Sequence, residues 1–269
     1  MDRSPLPRKK GKRRDLNVLD AVIIHAKRAA ILHFKKNENG GKIKYGKKTC
    51  IIERIKMDID IVNPKIETYL DSLLPQREPW FIEMEKIAKE KNFPAVGPQV
   101  GMLLEILARS INAKKIMELG SGFGYSGLWF ARALPPDGYI LLSDFEENNR
   151  SLAKTFFKKA GKDNMMEFKV GDALTLLKQE TGPYDLIFND IDKEFYPQVI
   201  EPVCSLLRKG GLFVTDNTLW YGKVANDDRH RLDKTTAFIR EFNNRLKAHK
   251  GFLTSFLPLR DGVSVSIKI

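Results

Sequence analysis

The chain has 269 residues, 42% of them hydrophobic, and a formal net charge of +12. That length suits one large α/β core with an appendage, and the composition is ordinary for a globular protein. Only two cysteines occur, Cys50 and Cys204, far apart and without metal-ligand or redox spacing, which excludes a disulfide framework and makes a reducing cytoplasm the expected location.

The charge is unevenly placed. Residues 1–56 hold 17 Lys plus Arg against 5 Asp plus Glu, while the remainder carries 29 of each and is neutral. Attraction for phosphate therefore has to come from the first segment, whose richest cluster is Arg8, Lys9, Lys10, Lys12, Arg13 and Arg14. Three readings of this segment compete: a basic arm for RNA or an acidic surface, a targeting peptide, or sequence upstream of a start at Met57. The last is preferred, because a compact fold becomes readable only after Met57. Val18 to Phe34 is the most hydrophobic early stretch, but His25, Lys27 and Arg28 interrupt it, so no membrane span is expected.

From Pro64 onward, helical and strand-like periodicities alternate, the pattern of an α/β fold on a mostly parallel sheet. Apolar residues at helical spacing predict helices over Ile66 to Leu74 and Trp80 to Lys91, punctuated by Pro75 and Pro94. A third, Gln99 to Ile111, follows the loop AVGP. Short apolar runs then predict five strands: Lys115 to Leu119, Tyr139 to Ser143, Glu167 to Val170, Asp185 to Asn189 and Gly211 to Thr215. A long helix near Thr235 to Ala248 precedes two last strands, Phe252 to Pro258 and Val263 to Ile269, joined by the turn LRDG. The expectation is an α/β, doubly wound, mostly parallel seven-stranded sheet ending in an antiparallel hairpin, with residues 57–269 as its domain.

The first strand runs into ELGSGFGYSG, Glu118 to Gly127, and straight on into a helix. Small residues are needed where a ligand approaches the backbone at a strand-to-helix turn that exposes amide donors. A dinucleotide turn would read GxGxxG, but here Gly120 and Gly122 are followed by Tyr125 at the third position, which argues against a dehydrogenase. Glu118 ends the strand where a carboxylate can face a ligand amine. Asp144 ends the second strand, about 20 residues on, where a carboxylate can chelate ribose hydroxyls. Asp172, after the third strand, reads equally as an adenine-facing group or as a helix N-cap.

With these residues in view, the stretch from Met57 to Ile269 resembles the cation-dependent O-methyltransferases that include caffeoyl-CoA and catechol O-methyltransferases and a bacterial branch acting on tRNA 5-hydroxyuridine. MELGSGFGYS is similar to that family's cofactor loop, and FNDIDK and LFVTDNTLW to its two metal segments. The resemblance implies a Rossmann-like class I methyltransferase fold. It also implies that S-adenosylmethionine contacts Glu118, Gly120, Ser126, Asp144 and Ala173, that Val96 closes over it, and that the chain forms a homodimer through its first helices.

The chemistry-bearing set follows the fourth and fifth strands: Asp190, Asp192 and Lys193, then Asp216 and Asn217. In a doubly wound sheet the C-terminal ends of neighbouring strands converge on the ligand crevice, so Asp190 is expected beside both cofactor and cation. Two carboxylates and an amide oxygen are hard ligands suited to Mg, Mn or Ca, and the absence of thiolates and imidazoles argues against zinc. A dication stabilises a deprotonated hydroxyl, and a neighbouring oxygen completes a chelate, which favours vicinal oxygens. Lys193 is the expected general base, and catechol methyltransferases place a lysine at that spacing. Asp192 is expected outside the ligand set, Cys204 in the core, and Trp220 and Tyr221 either beside a planar acceptor or in packing. The leading reading is methylation of a small catechol-like or phenylpropanoid hydroxyl. The alternatives are a tRNA wobble 5-hydroxyuridine methyltransferase and a non-catalytic S-adenosylmethionine-binding protein.

Overall fold

The computed structural model of the protein describes residues 60–226 and 233–269; the readings of residues 1–56 and of the boundary at Met57 lie outside them. Three helices come first: α1 (Pro64–Ser72), α2 (Pro79–Glu90) and α3 (Gly97–Ser110). Each carries a proline at its first or second position, where the missing N–H is one the helix leaves unbonded anyway. The sheet then alternates with helices: β1 (Lys115–Leu119), α4 (Tyr125–Ala133), β2 (Tyr139–Asp144), α5 (Glu147–Lys159) and β3 (Met166–Val170). It continues with α6 (Ala173–Gln179), β4 (Tyr184–Asn189), α7 (Tyr196–Leu206), β5 (Leu207–Thr215), α8 (Lys234–Ala248), β6 (Phe252–Leu257) and β7 (Val263–Lys268).

The strand order is β3-β2-β1-β4-β5-β7-β6, parallel through β5 and antiparallel at β7 and β6. Seven strands and a terminal hairpin match the expected architecture. The one notable boundary difference is β5, which begins at Leu207 and not at Gly211. Its pairing with β4 jumps from Tyr184↔Leu207 to Leu186↔Leu212, so Arg208 to Gly211 form a bulge that a sequence reading takes for a turn.

Period-2 alternation sends side chains to two separate cores. In β4, Leu186 and Phe188 join the cluster under α2, α3, α4 and α5, whereas Ile187 joins the one under α6, α7 and α8. Both faces are covered, which is why these strands read as continuous apolar runs. Trp129, Phe81 and Phe130 are fully buried on the first side, Tyr196, Phe213 and Phe242 on the second. Cys204 is partly buried and packs against the second cluster.

The chain moves outward one way through β1, β2 and β3, then the other way through β4 and β5. The order reverses between β1 and β4, and ligands of such sheets bind beyond the carboxyl ends of the strands at that reversal. Asp190 N–H donates to Leu119 C=O at 2.9 Å, joining the two strand ends there. Among the described residues no helix is long and apolar enough to cross a membrane.

Candidate active site

A crevice of about 1690 Å³ opens over these strand ends, lined among others by Val96, Gly120, Ser126, Asp144, Ala173, Asp190, Lys193, Asp216 and Asn217. The structure thus brings together most of the expected residues, drawn from segments up to 121 positions apart.

One wall is the glycine turn. Gly120 has φ +78°, and a Cβ there would stand 2.5 Å from the carbonyl oxygen of Asp190. Only glycine lets the end of β1 approach the end of β4 this closely. Gly120 and Ser121 N–H groups both donate to Ser143 C=O, at 3.0 and 2.7 Å, and Gly122 N–H donates to Asp144 Oδ2 at 3.0 Å. Asp144 Oδ1 accepts from Glu146 N–H and Asn149 Nδ2, each at 2.9 Å. Three donors therefore fix the Asp144 carboxylate at the crevice edge while leaving acceptor capacity on its oxygens.

Two expected cofactor residues stand elsewhere. Glu118 is 0% exposed and lies beneath the turn, its carboxylate accepting from Ser126 Oγ while Oε2 has no partner. Strand alternation explains this: Glu118 points to the same side as Ile116, under α4, where Gly127 leaves room for it. Burial raises the Glu118 pKa to about 8, opposed by the Ser126 hydrogen bond and reinforced by the charges of Asp190 and Asp144. Ser126, not Glu118, is the side chain that reaches the crevice. Asp172 caps α6, accepting from Thr175 N–H at 2.7 Å, and its neighbours Gly171 and Ala173 line the crevice instead. The N-cap alternative thus describes its position.

The opposite wall holds the acids. Asp190 follows β4, and its Oδ1 accepts from Lys193 Nζ at 2.9 Å; the same Nζ donates to Ile191 C=O at 3.2 Å and sits 5.3 Å above the Tyr196 ring. Burial raises the Asp190 pKa, with Lys193 opposing. Asp216, at the end of β5, is 4% exposed, and its Oδ1 is buried without a partner. Burial first, and the like charge of Asp190 second, push its pKa up to about 7. Asn217 is held at φ +56° and donates Nδ2 to Asp261 at 3.4 Å, which leaves its carbonyl oxygen as the free acceptor. Among the described residues no three His, Cys, Asp or Glu side chains form a metal cage, so any cation here relies on the amide as third protein ligand. Two converging carboxylates, an orphaned buried oxygen and an amide oxygen fit a hard divalent cation. Asp192 is exposed, outside this set as expected.

Sequence reasoning missed Asp261 and Arg260, in the turn between β6 and β7. Asp261 C=O accepts from Leu219 and Trp220 N–H at 2.9 and 3.3 Å, and its carboxylate accepts from Tyr221 N–H. Trp220 and Tyr221 are thereby held at φ +45° and +53°, where bulky residues are rare, and both line the crevice with ring centroids 5.2 Å apart. The only sequence signal was the polar Arg-Asp pair in a hairpin turn. Tyr196 is another omission: its buried hydroxyl donates to Asp216 C=O at 3.1 Å and steadies the strand end.

Comparison with known proteins places this geometry. The sequence model of the O-methyltransferase family matches residues 78–269. Caffeoyl-CoA O-methyltransferase 2 of Zea mays is 35% identical over 213 residues, covering 74% of this chain and 81% of that protein. Catechol O-methyltransferase of Niastella koreensis is 30% identical over 213 residues, covering 75% and 96%. Among solved structures, the O-methyltransferase TomG from Streptomyces achromogenes, in complex with SAM, matches with a TM-score of 0.69 at 29% identity, covering 76% of this chain and 96% of its own. The O-methyltransferase from Bacillus cereus, in complex with SAH, matches with a TM-score of 0.69 at 26% identity, covering 76% and 97%.

Proposed function

The chain belongs to the O-methyltransferase family and is an S-adenosylmethionine-dependent enzyme of the caffeoyl-CoA and catechol type, and from that premise we propose that it uses a divalent cation, Mg or else Mn or Ca, to methylate a hydroxyl of a small catechol-like or phenylpropanoid acceptor. One observation carries the proposal: Asp190 and Asp216 converge in a buried site where Asp216 Oδ1 has no partner, with Lys193 Nζ 2.9 Å from Asp190.

S-Adenosylmethionine supplies the electrophilic methyl on its sulfonium. Asp144, fixed by its three donors, holds the ribose hydroxyls, and the Gly120–Ser126 turn lets the cofactor lie against the backbone. Val96 and Ala173 supply apolar contacts on either side. Asp190, Asp216 and the carbonyl oxygen of Asn217 would hold the cation, whose positive charge would favour loss of the acceptor's hydroxyl proton. Paired with Asp190, Lys193 is an ammonium with no lone pair; with Asp190 turned to the cation that pair would be broken, and Lys193 would take the hydroxyl proton at Nζ as the free amine. Trp220 and Tyr221 flank the acceptor ring. Holding acceptor and cofactor together in one crevice would supply much of the acceleration.

A second reading, transfer to a tRNA 5-hydroxyuridine, draws on one observation, the 17 basic against 5 acidic residues in positions 1–56. We also propose a homodimer through the first helices, since α1 buries none of its residues and exposes Ile66, Tyr69 and Leu70. A cytoplasmic location is in keeping with the free thiol of Cys204. A methyl-transfer assay offering a catechol panel and tRNA lacking its wobble modification decides the substrate. Labelling of catechols supports the leading reading, and labelling of tRNA alone replaces it.

A further inference from the structure

The buried face behind Asp190 and Asp216 is not apolar throughout. In β4 and β5, Ile187 and Phe213 project into the core under α6, α7 and α8, so alternation sends Asn189 and Thr215 to the same side. The sheet register sets these residues in one row across five strands: Leu119 of β1 beside Asn189, Asn189 beside Thr215, Thr215 beside Ser264 of β7, and Ser264 beside Phe256 of β6. The three polar members are each 0% exposed. Their polar side-chain atoms, Asn189 Oδ1 and Nδ2, Thr215 Oγ1 and Ser264 Oγ, have no hydrogen-bond partner among the described residues. Buried polar groups left dry in this way are costly, and natural proteins seldom carry several together.

Hydroxyls on this face pair directly where the geometry allows. Two residues along β7, Ser266 Oγ lies 2.9 Å from Oγ1 of its cross-strand neighbour Thr254. In the row itself no such bond closes. Neighbouring strands stand about 4.8 Å apart, and two hydrogen bonds of about 2.8 Å meeting at a tetrahedral oxygen span about 4.6 Å, so one water between adjacent members bonds both. The row suits water better than an ion. It contains no charged side chain, it offers donors as well as acceptors, and the Asn189 amide N–H groups would oppose a cation. Its place in the chain links it to the chemistry: Asn189 directly precedes Asp190, and Thr215 directly precedes Asp216. Thr218, which follows Asn217, is also 0% exposed with an unpartnered Oγ1. Each proposed cation ligand thus has a buried polar neighbour, and groups behind the ligands orient them and tune metal affinity.

We propose that Asn189, Thr215 and Ser264 form a buried water site that ties the ends of β4, β5 and β7 together, and that Asn189 and Thr215 are thereby positioning residues for the cation. The water site stands on the sheet geometry alone. Only its effect on the cation rests on the cation reading given above.

The test begins with thermal unfolding of the wild type, Thr215→Val, Ser264→Ala and the double variant. Thr215→Val keeps the shape and removes the hydroxyl. If water bridges the row, it lowers Tm by about 3 °C or more, and the double variant loses clearly less than the two single losses together, since each breaks the same bridge. A rise in Tm in either single variant, as deletion of an orphaned hydroxyl would give, or full additivity of the two losses, overturns the proposal. A high-resolution crystal structure of the wild type is expected to show a water within about 3.2 Å of Thr215 Oγ1, and direct side-chain bonds along the row in its place count against the site. Exchange of sodium and potassium for tetramethylammonium should leave the wild-type Tm unchanged; a fall assigns the row to a monovalent cation and sinks the water site. The positioning role is read from manganese binding to protein loaded with S-adenosylhomocysteine, followed by electron paramagnetic resonance. Asn189→Leu, similar in size and apolar, is expected to weaken manganese about tenfold with S-adenosylhomocysteine affinity unchanged. Wild-type manganese affinity in Asn189→Leu removes the positioning role. Failure of the wild type to bind manganese at all sinks the cation reading, while melting and crystallography still decide the water site.

Discussion

At the ends of β1 and β2 the polar groups answer one another, apart from the buried Oε2 of Glu118. Ser143 C=O takes two turn amides, Asp144 takes three donors, and Ser126 bonds the buried Glu118. At the ends of β4 and β5 they do not: Asp216 keeps an unpartnered buried oxygen beside a second acid, and Asn217, Trp220, Tyr221 and Arg260 all sit at positive φ. The first region is a scaffold shaped for a ligand, the second a set of groups held in an arrangement that only a ligand completes. Strain and unsatisfied charge gather where chemistry is done and are tolerated because the rest of the structure over-determines them. Substitutions in the first region should therefore reduce stability, and substitutions in the second should reduce turnover.

The largest effect is expected at Asp216→Ala. Loss of a cation ligand should lower kcat by about a thousandfold or more, within the range that metal and oxyanion stabilisation supplies. The same change removes a buried like-charge contact, so thermal stability should hold or rise, and S-adenosylhomocysteine should still bind. A variant that unfolds instead would erase the contrast between the two regions. Lys193→Gln comes next, with a kcat loss of about a hundredfold or more if this amine is the base. Stopped rates with unchanged cofactor affinity would sharpen the contrast, and full activity would remove Lys193 from the reaction.

On the scaffold side, Gly120→Ala forces a Cβ to 2.5 Å from Asp190 C=O at φ +78°. A loss of about 1–3 kcal/mol in folding stability is expected from denaturant unfolding. No change would mean that the strand ends can part freely. The smallest effect concerns Glu118, whose folded pKa of about 8 lies above its ordinary 4.5. The native state then holds a proton that the unfolded chain releases. Its contribution is present in full below about pH 4.5 and is lost as pH rises toward 8. Melting temperatures of the cofactor-free wild type should accordingly fall relative to Glu118→Gln, a mimic of the protonated form, across that window. Parallel profiles would show that Glu118 is ionised in the folded protein.

Most of the fold could be read from the chain because both faces of the parallel strands are buried, so each strand is an apolar run between helical periods. The residues of the first region were legible for a related reason: Gly120, Ser126 and Asp144 lie at strand ends, within or just after a local motif. Orientation was less legible. Glu118 belongs to that motif, yet the parity of β1 sends its side chain under α4, while of the two readings of Asp172 the N-cap holds, its carboxylate accepting from Thr175 N–H. In the second region, Asp190 and Asp216 were visible as strand-end acids. Asp261 was not, because it acts on Asn217 from 44 residues away. Only the insertion of β7 between β5 and β6 carries the LRDG turn over the end of β5, and no local spacing records that pairing.

The central claim, that Asp190, Asp216 and Asn217 hold a cation needed for transfer to a vicinal hydroxyl, is met most directly by one titration. Initial rates of methyl transfer to a catechol are followed with chelator-stripped enzyme as magnesium is returned. The account predicts negligible transfer after stripping and a saturable return of the full rate, absent in Asp216→Ala. Undiminished transfer by the fully stripped enzyme would contradict it.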